Sequence, residues 1–142
     1  MILLLGAWYN EAGYSFNFSH KVSNYIREKI KSQIFPKYGL DTKDENWYLR
    51  LVLATDSKTQ KLEVRGPEIR KRRKMIDYGL WLPFDEITKS NHPLESFIDS
   101  YFEALIIVFK KYNVFEDDIR KLKKECKNEI LNNTEYLLEE DI

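Results

Sequence analysis

A chain of 142 residues fits one domain, of a size that buries roughly 70% of the surface its unfolded form exposes. Hydrophobic residues at 43% and aromatics at 14% exclude a disordered chain, so the 32% of charged residues must decorate a real core. The 23 basic and 23 acidic residues cancel, which argues against a surface uniformly attractive to nucleic acid or anionic membrane but leaves room for local patches.

A single cysteine, Cys126, allows no intramolecular disulfide and no cysteine-built zinc site from this chain alone, and suits a reducing compartment. The first ten residues, MILLLGAWYN, lack a basic leader region. No apolar run approaches the roughly 20 residues that span a bilayer. The expectation is a cytoplasmic protein with no membrane contact, in which the sequons at 17–19 and 132–134 are chance matches.

Residues 2–9 are apolar on both alternating faces, which predicts a central or well-covered strand. A turn is expected at 10–13, a short extended piece through Tyr14, Phe16 and Phe18, and a helix N-cap at Ser19. Val22, Tyr25, Ile26, Ile30 and Ile34 then keep helical spacing up to Pro36. After a polar loop, WYLRLVLATDS alternates as a strand. A turn at 56–60 leads into Leu62 and Val64, so residues 47–65 read as an antiparallel hairpin.

Gly66-Pro67 breaks the next strand by a turn or wide bulge, since Pro lacks an N–H and Gly allows backbone angles that other residues avoid. Residues 76–82 form a further strand with a largely apolar second half, and the basic run at 70–74 projects into solvent. Pro93 opens the strongest helix, whose apolar stripe runs from Leu94 to Tyr112. A last helix starts near Phe115, with Ile119, Leu122, Cys126 and Ile130 on its buried side. The acidic end, 132–142, is expected to fray. The whole reads as one α+β domain in the order β-α-β-β-β-α-α, a largely antiparallel sheet of about four strands with helices packed on it.

The motifs of known chemistry do not occur. His20 and His92 lack metal-ligand spacing, no P-loop, G-x-G-x-x-G or G-x-S-x-G occurs, and the five glycines are too few for a phosphate-cradling loop. Cys126 falls on an apolar stripe, where a small hydrophobe fits. Glu63 and Asp77, from adjacent strand candidates, could face each other as an acid/base pair, but separate surface placement is the stronger expectation because nothing in the sequence puts them in one pocket. No catalytic residue, cofactor or metal is expected.

Two charge clusters remain as candidate partner-binding residues. The run Arg70, Lys71, Arg72, Arg73 and Lys74 is a solvated strand end, a protein contact or, with Tyr78 and Trp81 nearby, a phosphate site. Nucleic acid ranks last of the three because alternating strand residues would split the run between two surfaces. Glu116, Asp117 and Asp118 lie in the first turn of a helix, where negative charge is favourable, and would also attract a basic partner.

The N-terminal apolar strand, the stretch LEVRGPEIRKRRKMIDYGLWLPF and the helix PLESFIDSYFEALIIVFKKY resemble small α+β immunity proteins of bacterial polymorphic-toxin systems. The most specific part is Gly66-Pro67 followed by YGLWLPF, and about half the chain is covered. The resemblance implies a rigid cytoplasmic protein that neutralises a cognate toxin, such as a nuclease, by direct binding and without catalysis. It transfers no site residues. The alternative is a nucleic-acid-binding or regulatory module using residues 70–74. A monomer or a homodimer is expected, since an exposed strand edge can pair with another chain while Lys and Arg oppose it.

Overall fold

A computed structural model describes residues 1–16 and 19–133. The strands are β1 (Ile2–Asn10), β2 (Tyr48–Thr55), β3 (Glu63–Arg70) and β4 (Met75–Trp81), and the α-helices are α1 (Ser19–Lys29), α2 (Phe84–Thr88), α3 (Pro93–Lys110) and α4 (Glu116–Leu131). A π-helical turn, Ile30–Ile34, extends α1, and a 3-10 turn, Lys71–Arg73, joins β3 to β4. The order matches the sequence reading only in part: the first five elements agree, but α2 is an additional short helix before the two expected ones. The piece expected at Tyr14 to Phe18 lies partly outside the described residues, as does the acidic end except for Asn132 and Asn133.

The sheet runs β1-β2-β4-β3. β1 pairs with β2 and β2 with β4 in parallel, and only β3 runs antiparallel, against β4. The expected largely antiparallel sheet is therefore a mixed one. The expected 47–65 hairpin does not form, because β4 lies between β2 and β3. The physical reason is burial: Asp77 through Pro83 are all buried, whereas β3 exposes most of its residues. The more apolar strand takes the interior position and the charged one takes the edge.

Residues 56–62 cross the end of β4 to reach that edge. Asp56 shapes the crossing by accepting from the backbone N–H of Lys58 (3.0 Å) and Thr59 (2.8 Å) and from the Thr59 hydroxyl (2.7 Å), a side-chain-closed turn. The Thr59 hydroxyl bond is the largest cause holding the Asp56 carboxyl below its ordinary range.

β1, expected at the centre, is the opposite edge, with Ile2 and Tyr9 each 43% exposed. Its two apolar faces signal something other than depth, as the next section shows. A register shift between Ala7 and Tyr9 leaves Trp8 without a register partner, so Tyr9 rather than Trp8 stands beside Ala54.

The break at Gly66-Pro67 is a bulge inside β3, with a register shift between Arg65 and Glu68 and a cis peptide bond. Gly66 has φ of +120°, and a Cβ there would stand 2.6 Å from the Asp77 carbonyl oxygen. No residue with a side chain fits that approach without moving β4. Lys111 Nζ donates to the Gly66 carbonyl at 3.2 Å, tying the bulge to the end of α3.

One face of the sheet carries the core. Leu3, Leu49, Leu51, Tyr78 and Leu80 are buried against Val22 and Ile26 of α1, Ile87 of α2, Leu94, Phe97, Tyr101, Phe102 and Phe109 of α3, and Ile119, Leu122, Cys126 and Ile130 of α4. The 3.6-residue stripes foretold by the sequence are the surfaces in contact. α3 and α4 are also bridged by Lys127 to Glu95 and Asp99, Lys123 to Asp99, and Arg120 to Glu103. These pairs are partly exposed, so water screens them and they add little to stability.

Candidate partner-binding surface

All four helices contribute to the same core, and the strand residues in it come from one face of the sheet. Among the described residues, no helix covers the other face. Strand register sets its side chains in four rows across β1-β2-β4-β3: Ile2, Tyr48, Met75, Arg70; Leu4, Arg50, Asp77, Glu68; Gly6, Val52, Gly79, Arg65; and Tyr9, Ala54, Trp81, Glu63.

The centre of this face is nonetheless dry. Val52 (2% exposed), Ala54, Asp77 and Trp81 are buried. What shields them is a layer of long side chains lying along the sheet, the arrangement expected when amphipathic side chains cover apolar surface with their stems. Arg65 stacks with its guanidinium carbon 4.1 Å from the Trp81 ring centroid, and Tyr9 packs on the same ring at 5.2 Å. Arg65 also donates to Glu63 at 3.1 and 3.2 Å.

Asp77 is the polar centre. Arg50 donates to it through Nε (3.0 Å) and Nη2 (2.7 Å), a bidentate grip from the neighbouring parallel strand. Arg70 donates from the other side through Nε at 3.0 Å and reaches Glu68 at 3.1 Å. The carboxylate is 4% exposed and the two arginines 28% and 36%. Three adjacent strands, β2, β4 and β3, are thus cross-linked on the open face. The proposed Glu63–Asp77 carboxylate pair is not formed: Glu63 stands opposite Trp81, and Glu68 is the residue across from Asp77.

The five cations of the basic run divide. Arg70 ends β3 and is neutralised by Asp77 and Glu68. Residues 71–74 form an exposed turn, with Lys74 left-handed at φ of +51°. Among the described residues none of these four forms an ion pair. The expected split of the run over two strand faces does not occur, because the chain reverses here instead of continuing as a strand.

The acidic cluster is largely used within the fold. Asp118 accepts a very short hydrogen bond from the Tyr38 hydroxyl and an ion pair from Lys37 at 2.9 Å. The Tyr38 bond first, then Lys37, holds its carboxyl below the usual 3.8. Tyr38 in turn accepts from the Phe115 backbone N–H at 3.2 Å, fixing the start of α4 and leaving the Phe115 ring 74% exposed. Glu116 pairs with Arg120 at 3.4 Å. Asp117 alone of the three has no ion pair among the described residues. No ion pair or hydrogen bond joins this cluster to residues 70–74.

Elsewhere the chemistry is sparse. His20 is exposed beside Asn24, and His92 is exposed where α3 begins. Burial pushes the Cys126 thiol up to about 12. No group of three or more metal-ligating side chains lies together among the described residues, and no helix described is long and apolar enough to cross a membrane. A hollow of about 940 Å³ is lined, among the described residues, by side chains of α4 and by Asn132 at its end.

Comparison with family models, with curated proteins and with solved structures gave no match.

Sequence reasoning missed the Arg50–Asp77–Arg70 clamp. The available signal was a lone charge of opposite sign in each of two otherwise apolar strand patterns, WYLRLVLA and MIDYGLW.

Proposed function

We propose that this protein acts by binding another protein through the open face of its sheet, without chemistry of its own. The observation that carries this reading is the side-chain layer on that face, where Tyr9 and Tyr48 stand among Arg50, Arg65 and Arg70 over the buried Trp81, flanked by Ile2 and Leu4 at the β1 edge. Tyr, Trp and Arg are the residues that dominate binding energy at protein interfaces. Here Tyr9, Trp81 and the three arginines are held in place by stacking and ion pairs before a partner arrives. The apolar second face of β1 also acquires a purpose, since an edge strand needs one only if something covers it.

The resemblance to immunity proteins supplies the class of partner, a cognate bacterial toxin such as a nuclease, neutralised in the cytoplasm by occlusion. A nucleic-acid role draws support only from the turn at 71–74. Against it, the face carries three carboxylates, Glu63, Glu68 and Asp77, beside its three arginines, so no continuous positive track crosses the sheet for a phosphate backbone to follow.

The test is capture from the native cell with the intact protein as bait, followed by assay of the captured protein for toxicity and its inhibition by stoichiometric bait. A toxin blocked by the wild-type protein, and not by Tyr9→Ala or Tyr48→Ala variants of unchanged stability, is the expected result. If no toxin is captured and cells expressing the protein still die when a neighbouring-gene toxin is induced, the reading is wrong.

A further inference from the structure

Besides the sheet face, the strongest feature is the turn that joins β3 to β4. We infer that residues 71–74, together with Ile69, form a docking site for an acidic segment of the protein partner. This inference rests on the binding role proposed above and adds the chemistry that the partner must present.

Four observations carry it. First, Lys71, Arg72, Arg73 and Lys74 are exposed and, among the described residues, free of ion pairs, while the fifth cation of the run, Arg70, is engaged by Asp77 and Glu68. Four cations crowded into one turn repel each other, and a bound anion relieves that repulsion. Second, the turn is held at both ends. Arg70 is bonded to Asp77 before it, and after it the Lys74 carbonyl accepts the Tyr48 N–H at 2.8 Å. A site presented on a rigid hairpin loses little entropy on binding.

Third, Ile69 is 56% exposed next to the turn. An apolar contact beside the cations suits a polypeptide, whose acidic residues alternate with apolar ones, better than a sugar-phosphate chain. Fourth, the unpaired positive charge stops at the turn: along β3, Glu68 pairs with Arg70, and beyond it the exposed Arg65 pairs with Glu63. An acidic patch a few residues long matches this compact charge, whereas a nucleic acid would run on into those carboxylates.

The test uses the intact protein and two labelled probes of similar length: a peptide of Asp and Glu residues with a central Leu, and a single-stranded oligonucleotide. Binding is followed by fluorescence anisotropy from 50 to 500 mM salt. The expected result is that the peptide binds more tightly than the oligonucleotide. Its affinity should fall at least tenfold across the salt range and tenfold in the Lys71→Gln/Arg72→Gln/Arg73→Gln/Lys74→Gln variant. Ile69→Ser should weaken the peptide about threefold and leave the oligonucleotide unchanged.

Tighter oligonucleotide binding that is insensitive to Ile69→Ser would overturn the inference and assign the turn to nucleic acid. Equal peptide binding by the four-Gln variant would also overturn it. If the captured partner is lost with Tyr9→Ala but retained by the four-Gln variant, this inference fails while the sheet-face reading stands. If it is lost with both, both stand.

Discussion

Replacing Asp77 by alanine measures how much the open face contributes to holding the β3–β4 hairpin on the sheet. Asp77 accepts three charge-assisted hydrogen bonds, two from Arg50 and one from Arg70. Such bonds contribute about 1.5–3 kcal/mol each when well shielded. Here the arginines are 28% and 36% exposed, so water recovers part of the loss. Counting about 2 kcal/mol for the bidentate pair and about 1 kcal/mol for Arg70, the substitution costs about 3 kcal/mol. With a urea slope of about 2 kcal/mol per molar, the midpoint falls by about 1.5 M at unchanged slope. Asp77→Asn does little better, because its single oxygen cannot serve both arginines and its amide N–H groups face other donors. A double-mutant cycle with Arg70→Ala returns a coupling of about 1 kcal/mol. The decisive comparison is Arg50→Met/Arg70→Met/Asp77→Leu, which removes all three charges at similar volume and should leave stability within about 1 kcal/mol of wild type. A loss below about 1 kcal/mol for Asp77→Ala would refute the clamp; a large loss in the triple variant would show that the charges are needed for folding itself.

Tyr101 is fully buried and its hydroxyl has no hydrogen-bond partner among the described atoms, so Tyr101→Phe should stabilise by about 1 kcal/mol and raise the melting temperature by about 3 °C. Destabilisation by more than about 1 kcal/mol would mean that a buried water satisfies the hydroxyl. Cys126, its thiol pushed up to about 12, holds only about one thiolate in 10⁴ at pH 8; iodoacetamide should label the native protein at least a thousandfold more slowly than the urea-unfolded chain, and fast labelling would show that α4 lifts from α3. Asp118 is depressed by Tyr38 and then Lys37, so its contribution is present above the ordinary carboxylate value and is lost as pH falls through the lower folded one. The Phe115 amide resonance should therefore shift in the acid range, and Asp118→Asn should abolish that titration; an unchanged titration in the variant would assign it to another group.

The helices were legible because each carries its own evidence. The apolar stripe of α3 is continuous over five turns, Pro93 marks its start, and local periodicity suffices to place it. Sheet order was not legible for a matching reason: pairing depends on which strands are near in space, and sequential adjacency suggested the 47–65 hairpin. The seven-residue crossing at 56–62, longer than a tight hairpin needs, was the available hint. The site followed the sheet. With β2 and β4 separated by the expected hairpin, the sequence offers no reason to see Arg50 and Asp77 as partners. The basic run was visible as charge, yet its division into one engaged cation and four with no ion pair among the described residues depends on where β3 ends and the turn begins.

The engaged arginines and the free cations suit different jobs, and that difference argues for a partner with two kinds of surface. Arg50, Arg65 and Arg70 already have carboxylate partners, so an acidic group approaching the sheet must compete with Asp77, Glu63 or Glu68 and gains little. An apolar or aromatic residue gains more. It meets Tyr9 and arginine stems that are held in place over the buried Trp81, avoiding most of the roughly 0.5–1.5 kcal/mol that ordering each long side chain costs. At the turn the preference reverses: four cations with no ion pair among the described residues reward an acidic segment and reject a basic one. A partner that matches one surface and clashes with the other is excluded, so discrimination comes from the spacing between the sheet face and the turn. Asp77 sets that spacing by binding Arg70, the residue where β3 gives way to the turn. Asp77→Ala should therefore lower partner affinity by more than its effect on the sheet face alone. A captured partner bound equally well by Asp77→Ala, under conditions where the variant is fully folded, would show that the two surfaces act independently.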